Sequence, residues 1–189
     1  MNMPLALILH GAPPENEYFD AQQPSPSNAH FVPWLQKELL LKGYEAQTPE
    51  MPAPYLPEYR AWRKVFERYE LRSDSLLVGH SCGAGFLVRW LSENRRKIAR
   101  LVLVAPWLDP YRNGCAGRFF YFKIDPKLST RAEVHLVYSD NDGDEINKSV
   151  DIIREALPNV HAHLFEDCGH FCKSEVGAEL PLLRDIVLG

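Results

Sequence analysis

Short blocks of apolar residues recur along the chain, separated by longer stretches in which apolar and polar positions are mixed. Leu5-Ala6-Leu7-Ile8-Leu9 comes first, and strand-length runs follow at residues 44–48, 75–79, 99–105, 134–138 and 160–165. The run Arg100-Leu101-Val102-Leu103-Val104-Ala105 is apolar on consecutive positions rather than alternating, as expected of a central strand covered on both faces. Between the runs, apolar residues fall at helical spacing. This predicts helices over 31–42 (Trp34, Leu35, Leu39 and Leu41, with Gly43 as the stop), 58–71, 82–93 and 146–157, and a terminal helix ending near Leu188 that Pro181 starts or kinks. Strands alternating with helices argue for a parallel sheet with helices on both faces, wound by right-handed crossovers. The expected fold class is therefore α/β: a compact three-layer sandwich with a mostly parallel sheet of about six strands. One domain spanning residues 1–189, with no separate lid domain, accommodates all of it.

Two long segments fit neither period. Residues 12–29 carry four prolines, and residues 106–130 hold Trp107, Tyr111 and the run Phe119-Phe120-Tyr121-Phe122. Loops of this length inside a compact domain are usually functional, and the aromatic-rich one has the material to be ordered. Trp107, Leu108 and Tyr111 are candidate walls of a substrate pocket; a plain cover over the sheet is the alternative.

Composition narrows the function classes. A hydrophobic fraction of 46% and a charged fraction of 24% are those of an ordinary globular protein. The net charge of -4, from 21 basic and 25 acidic side chains without a long single-sign run, offers nothing to nucleic acid or an anionic membrane. The first apolar run lacks a preceding basic segment and leads into His10-Gly11, so it reads as a strand and not a signal peptide. Four irregularly spaced cysteines, Cys82, Cys115, Cys168 and Cys172, suit reduced thiols in the cytoplasm, and no structural disulfide is expected.

Candidate chemistry centres on Gly79-His80-Ser81-Cys82-Gly83, which follows the buried run Ser75-Leu76-Leu77-Val78 and opens a helical segment. A G-x-S-x-G at a strand-to-helix junction is the setting of a nucleophile elbow. A serine hydroxyl is a weak nucleophile, so Ser81 needs a base and a third group to hold that base in the right tautomer. In this class both partners follow the serine, at the ends of later strands. The run at 160–165 leads into Glu166-Asp167-Cys168-Gly169-His170, which makes His170 the base. The run at 134–138 leads into a loop holding Asp140, Asp142 and Asp144. Asp142 is the preferred acid; Asp140 fits better as a brace of the turn and Asp144 as a helix-start carboxylate. The oxyanion hole is expected from the backbone N–H of Cys82 and one from the loop after the first strand, Ala12 or, if the loop turns earlier, Gly11.

The chain resembles the small single-domain α/β-hydrolases of the retinoblastoma-binding-protein-9 type, a family of compact serine hydrolases. The resemblance rests on His30-Phe31-Val32-Pro33-Trp34-Leu35, Met51-Pro52-Ala53-Pro54, Trp62, the elbow, Leu101 to Ala105, Ser139 with Asp142, and Asp167-Cys168-Gly169-His170-Phe171. It implies Ser81, Asp142 and His170 as nucleophile, acid and base. The function expected of such a triad is cleavage of a small carboxylic ester, with an amide as the second choice, through an acyl-enzyme. The Leu-x-Cys-x-Glu motif of the family's namesake is absent, so no retinoblastoma-protein partner is implied.

Other patterns have plainer explanations. Cys168 and Cys172 flank His170, but a zinc site needs about four ligands, so no metal or other cofactor is expected. His80 is expected to pack beneath the elbow, and His135, His161 and His163 to be edge or surface residues. The competing function is a catalytically silent interaction protein on the same fold.

Overall fold

A computed structural model describes residues 3–112 and 116–189; Cys115 lies outside them. Six strands, β1 (Leu5–Leu9), β2 (Glu45–Gln47), β3 (Leu76–His80), β4 (Arg100–Val104), β5 (Glu133–Ser139) and β6 (His161–Phe165), form one sheet in the order β2-β1-β3-β4-β5-β6. Every neighbouring pair is parallel. The apolar runs are explained by what covers them. Leu5, Leu7 and Leu9 of β1, with Leu77, Leu101 and Leu103, face one apolar layer; Ala6 and Ile8, with Val78, Val102 and Val104, face the other. Strands apolar on both faces need helices on both faces.

The first layer is closed by α3 (Tyr59–Phe66), α4 (Cys82–Asn94) and α5 (Asp144–Ala156), through Trp62, Phe66, Phe86, Leu87, Val150 and Ile153. The second is closed by α2 (Val32–Leu41) and α7 (Pro181–Leu188), through Leu35, Leu39, Leu183 and Val187. Glu58 caps α3, accepting hydrogen bonds from the N–H groups of Arg60 and Ala61 at 3.0 and 2.7 Å. Pro181 takes the first turn of α7, where its missing N–H costs nothing. No helix of the described residues is long and apolar enough to cross a membrane.

The segments without clear periodicity gain local structure. Residues 12–29 contain a four-residue helix, α1 (Glu15–Tyr18), and a 3-10 turn (Pro26–Asn28). Lys173–Val176 forms a further short helix, α6, after the His170 loop. The helix expected over 58–71 stops at Phe66; the N–H groups of Arg68 and Tyr69 turn back to the carbonyls of Val65 and Phe66. In the aromatic-rich segment, Phe119 and Phe120 are buried, and Phe119 packs edge-on to Trp62 with ring centroids 5.1 Å apart. Their role is core, over α3 and α4.

Candidate active site

The chain enters α4 through a sharp turn at Ser81, whose φ of 53° and ψ of -118° lie where side chains are strained. Three backbone hydrogen bonds hold it there: its N–H donates to Val104, and its carbonyl accepts from Gly85 and Trp107. The flanking glycines are required by close approach. A Cβ on Gly79 would stand 2.5 Å from the Ala84 Cα, and one on Gly83 would stand 2.5 Å from the His10 carbonyl oxygen. The second contact lays the end of β1 across the first turn of α4. That places the loop after β1 beside the serine, so that a Cβ on Gly11 would be 3.0 Å from the Ser81 Cβ.

His170 and Asp142 arrive from the ends of β6 and β5. The His170 Nδ1 is 2.9 Å from Asp142 Oδ2 and 3.2 Å from Oδ1. The Asp142 side chain is only 5% exposed and also accepts the Gly143 N–H, at 2.6 Å. With the carboxylate acting as acceptor, Nδ1 carries the proton and Nε2 is left as the basic nitrogen. Asp140 is turned elsewhere and accepts the Asp167 N–H at 2.9 Å, bracing the turn. Asp144 starts α5 and accepts the Tyr111 hydroxyl.

The His170 loop is clamped by Asp140, expected to brace the turn, together with Ser139, Asn141 and Glu175, for which no such role was expected. Three successive N–H groups, those of Asp167, Cys168 and Gly169, donate to Asp140, Ser139 Oγ and Asn141 Oδ1 at 2.9, 2.9 and 2.7 Å. Glu175 Oε2 accepts the N–H groups of His170 and Cys172, both at 2.9 Å. Two non-glycine residues of this loop, Asp167 and Phe171, have positive φ. Such geometry persists only when its surroundings over-determine it, as these hydrogen bonds do. The available signal was the run Ser139-Asp140-Asn141-Asp142, short polar side chains of the type that bond neighbouring backbone.

His80 packs beneath the elbow as expected and is 3% exposed. Its Nε2 lies 2.8 Å from the His170 carbonyl and must donate to it, which leaves Nδ1 buried without a partner among the described residues. Burial holds this imidazole well below its usual pKa, and the neighbouring His170 and His30 rings push the same way. It therefore stays neutral. His30 is shifted down for the same reason. The Cys172 thiol is pushed up to about 11 by burial and Glu175, and Cys168 upward as well, so neither is an activated nucleophile.

Ser81, His170, His80, Gly11 and Ala12 all line one cavity of about 650 Å³. Its outer wall comes from residues 13–30, including Pro13, Pro14 and Tyr18, and from Lys173. Among the described residues no hydrogen bond joins Ser81 to His170 in this state, though both face the same space; such contacts commonly tighten only with substrate bound. Cys82 is the first residue of α4, where backbone amides and the helix dipole favour negative charge. The expected pocket walls lie elsewhere. Leu108 is buried and donates its N–H to Ser149, the Trp107 indole donates to Glu145, and Tyr111 is an exposed partner of Asp144. None of the three lines the cavity at Ser81.

Among the described residues no group of three or more His, Cys, Asp or Glu side chains is arranged to hold a metal ion. Among the described residues, Cys168 and Cys172 are free thiols. His161 is exposed at the sheet edge, but His135 departs from expectation. It is 8% exposed on the inner strand β5, with its Nδ1 2.9 Å from His163 Nε2.

Comparison with known proteins bears on the fold and the family. The Bacillus subtilis (strain 168) protein YdeN, whose name calls it a hydrolase, is 28% identical over 173 residues, covering 85% of this chain and 88% of YdeN. The crystal structure of the ydeN gene product superposes with a TM-score of 0.80 at 21% identity, over 99% of this chain and 97% of that one. Est1E from Butyrivibrio proteoclasticus superposes with a TM-score of 0.66 at 15% identity, over 98% and 86%. These likenesses establish the α/β-hydrolase fold. The serine hydrolase family model matches residues 23–170, from before α2 through His170, and the chain belongs to the serine hydrolase family.

Proposed function

We propose that this protein cleaves small carboxylic esters, or amides, through an acyl-enzyme formed on Ser81. The observation that carries the reading is the Asp142–His170 hydrogen bond, held by a clamped loop at the edge of the cavity that Ser81 enters. The His170 Nε2 takes the Ser81 proton as Oγ attacks the substrate carbonyl, and returns it to the leaving group as the tetrahedral intermediate collapses. Asp142 keeps the proton on Nδ1 and stabilises the imidazolium that forms. Water then attacks the acyl-enzyme by the same route, with His170 again as base. The oxyanion is received by the amide of Cys82 and that of Ala12 on the adjoining loop, with Gly11 as the alternative donor.

The acyl or leaving group occupies the space walled by residues 13–30, which assigns substrate choice to the proline-rich loop and not to Trp107, Leu108 and Tyr111. The resemblance to the retinoblastoma-binding-protein-9 type supports the same three catalytic residues. Turnover of p-nitrophenyl esters of increasing chain length, set beside aminoacyl amides, tests the reading. Wild-type protein is expected to turn over short esters while Ser81→Ala and His170→Ala do not. Equal rates for all three proteins would sink it.

A further inference from the structure

His10 lines the same cavity as Ser81 and His170, and it is 2% exposed and bonded at both ring nitrogens. Its Nε2 lies 2.9 Å from the Met51 amide nitrogen, and its Nδ1 lies 2.7 Å from the Gly11 carbonyl oxygen. An amide N–H can only donate and a carbonyl can only accept, so the two contacts fix one tautomer: Nδ1 protonated, Nε2 bare. Burial lowers the pKa of the ring, against smaller opposite pulls from the Gly11 hydrogen bond and from Glu50, whose Oε1 is 3.5 Å from Nε2. The Met51 end is itself anchored, because the Trp62 indole donates to the Pro52 carbonyl at 3.0 Å and its ring packs against His10.

The consequence lies one peptide along the chain. The Gly11–Ala12 bond is trans, so the Gly11 carbonyl and the Ala12 N–H point in opposite directions. Holding that carbonyl against the His10 ring turns the Ala12 N–H away from it. Gly11 cannot orient itself, having no side chain and the widest backbone freedom of any residue. We propose that His10 is a positioning residue: through its Nδ1–H bond to the Gly11 carbonyl, it aims the Ala12 amide at the oxyanion site beside Ser81. This rests on the hydrolase reading above, and it adds a third loop, residues 50–52, to the parts that set the reaction geometry.

Two substitutions separate the two ring contacts. His10→Asn places an amide N–H near the position of Nδ1 and keeps the hold on Gly11; His10→Gln places an oxygen near Nε2, keeps the Met51 contact and releases Gly11. With p-nitrophenyl acetate, His10→Gln is expected to lose about 100-fold in kcat, the scale of one lost oxyanion donor, with KM within about twofold. His10→Asn is expected to recover most of that loss. Wild-type kcat in His10→Gln, or equal losses in both variants, overturns the inference. Absence of any Ser81-dependent turnover in wild-type protein instead overturns the hydrolase reading beneath it. If neither variant folds, ¹⁵N NMR of the wild-type ring decides: a proton on Nδ1 with bare Nε2 supports the inference, and the opposite tautomer overturns it.

Discussion

Replacing the strained serine by glycine should make the protein more stable while abolishing its chemistry. Ser81 sits at φ 53° and ψ -118°, a conformation open to glycine and costly for any residue with a Cβ. Backbone strain of this kind is worth about 1–3 kcal/mol. Glycine gives back about 0.5–1 kcal/mol through the extra freedom of the unfolded chain. The three hydrogen bonds at the turn are backbone to backbone and survive the substitution. Ser81→Gly should therefore exceed Ser81→Ala, which keeps the Cβ and its strain, by roughly 1 kcal/mol. For a chain of this length that is about 2–4 °C in Tm. Differential scanning calorimetry, with urea unfolding as a second route to the free energy, measures the difference. A Ser81→Gly protein less stable than Ser81→Ala would show that the turn is not strained and refute the reasoning.

Three further outcomes follow from particular contacts. Gly83→Ala pushes a methyl onto the carbonyl oxygens of His10 and Leu9, at 2.5 and 2.7 Å. It should cost about 1–3 kcal/mol in urea unfolding and, by displacing the loop that carries Ala12, reduce ester turnover as well. Asp142→Asn should leave circular dichroism unchanged but cut kcat by about 10⁴-fold, because the amide no longer enforces the Nδ1–H tautomer of His170; an effect under about tenfold would argue against the triad. Thermal stability should fall between pH 7 and pH 5. His10, His30, His80, His135 and His163 all have pKa values lowered chiefly by burial, so the unfolded chain binds more protons below about pH 6.5. Their contribution is complete above that pH and is lost as pH drops toward their folded values; a Tm flat or rising across that interval contradicts it.

The sheet was legible because its apolar runs report burial on both faces, a property of single segments that needs no knowledge of their neighbours. Leu5 to Leu9 and Arg100 to Val104 show this well, and the structure places strands there. The nearness of Ser81, Asp142 and His170 to strand ends was legible for a related reason: each follows an apolar run, and in a parallel sheet such strand ends gather on one edge. What the sequence hides is contact between distant loops. The clamp of Ser139, Asp140 and Asn141 on residues 167–169 spans about thirty positions and depends on the β5–β6 register, which no local pattern encodes. The cavity wall was misplaced for the same cause. Trp107 and Leu108 look like pocket material by composition, but α4 and α5 consume them, and the polar, proline-rich residues 13–30 close the site instead. His135 was taken for a surface residue because a lone polar side chain on a strand usually is one; its cross-strand partner His163 is what permits burial.

The central claim is that Ser81 is a nucleophile activated by His170 and Asp142. Reaction with a fluorophosphonate probe, followed by peptide mass spectrometry, tests it most directly. The account predicts one covalent adduct per chain, on Ser81, formed at a rate that drops sharply in His170→Ala and vanishes in Ser81→Ala. Folded wild-type protein that stays unlabelled, or that carries the adduct on another residue, would contradict it.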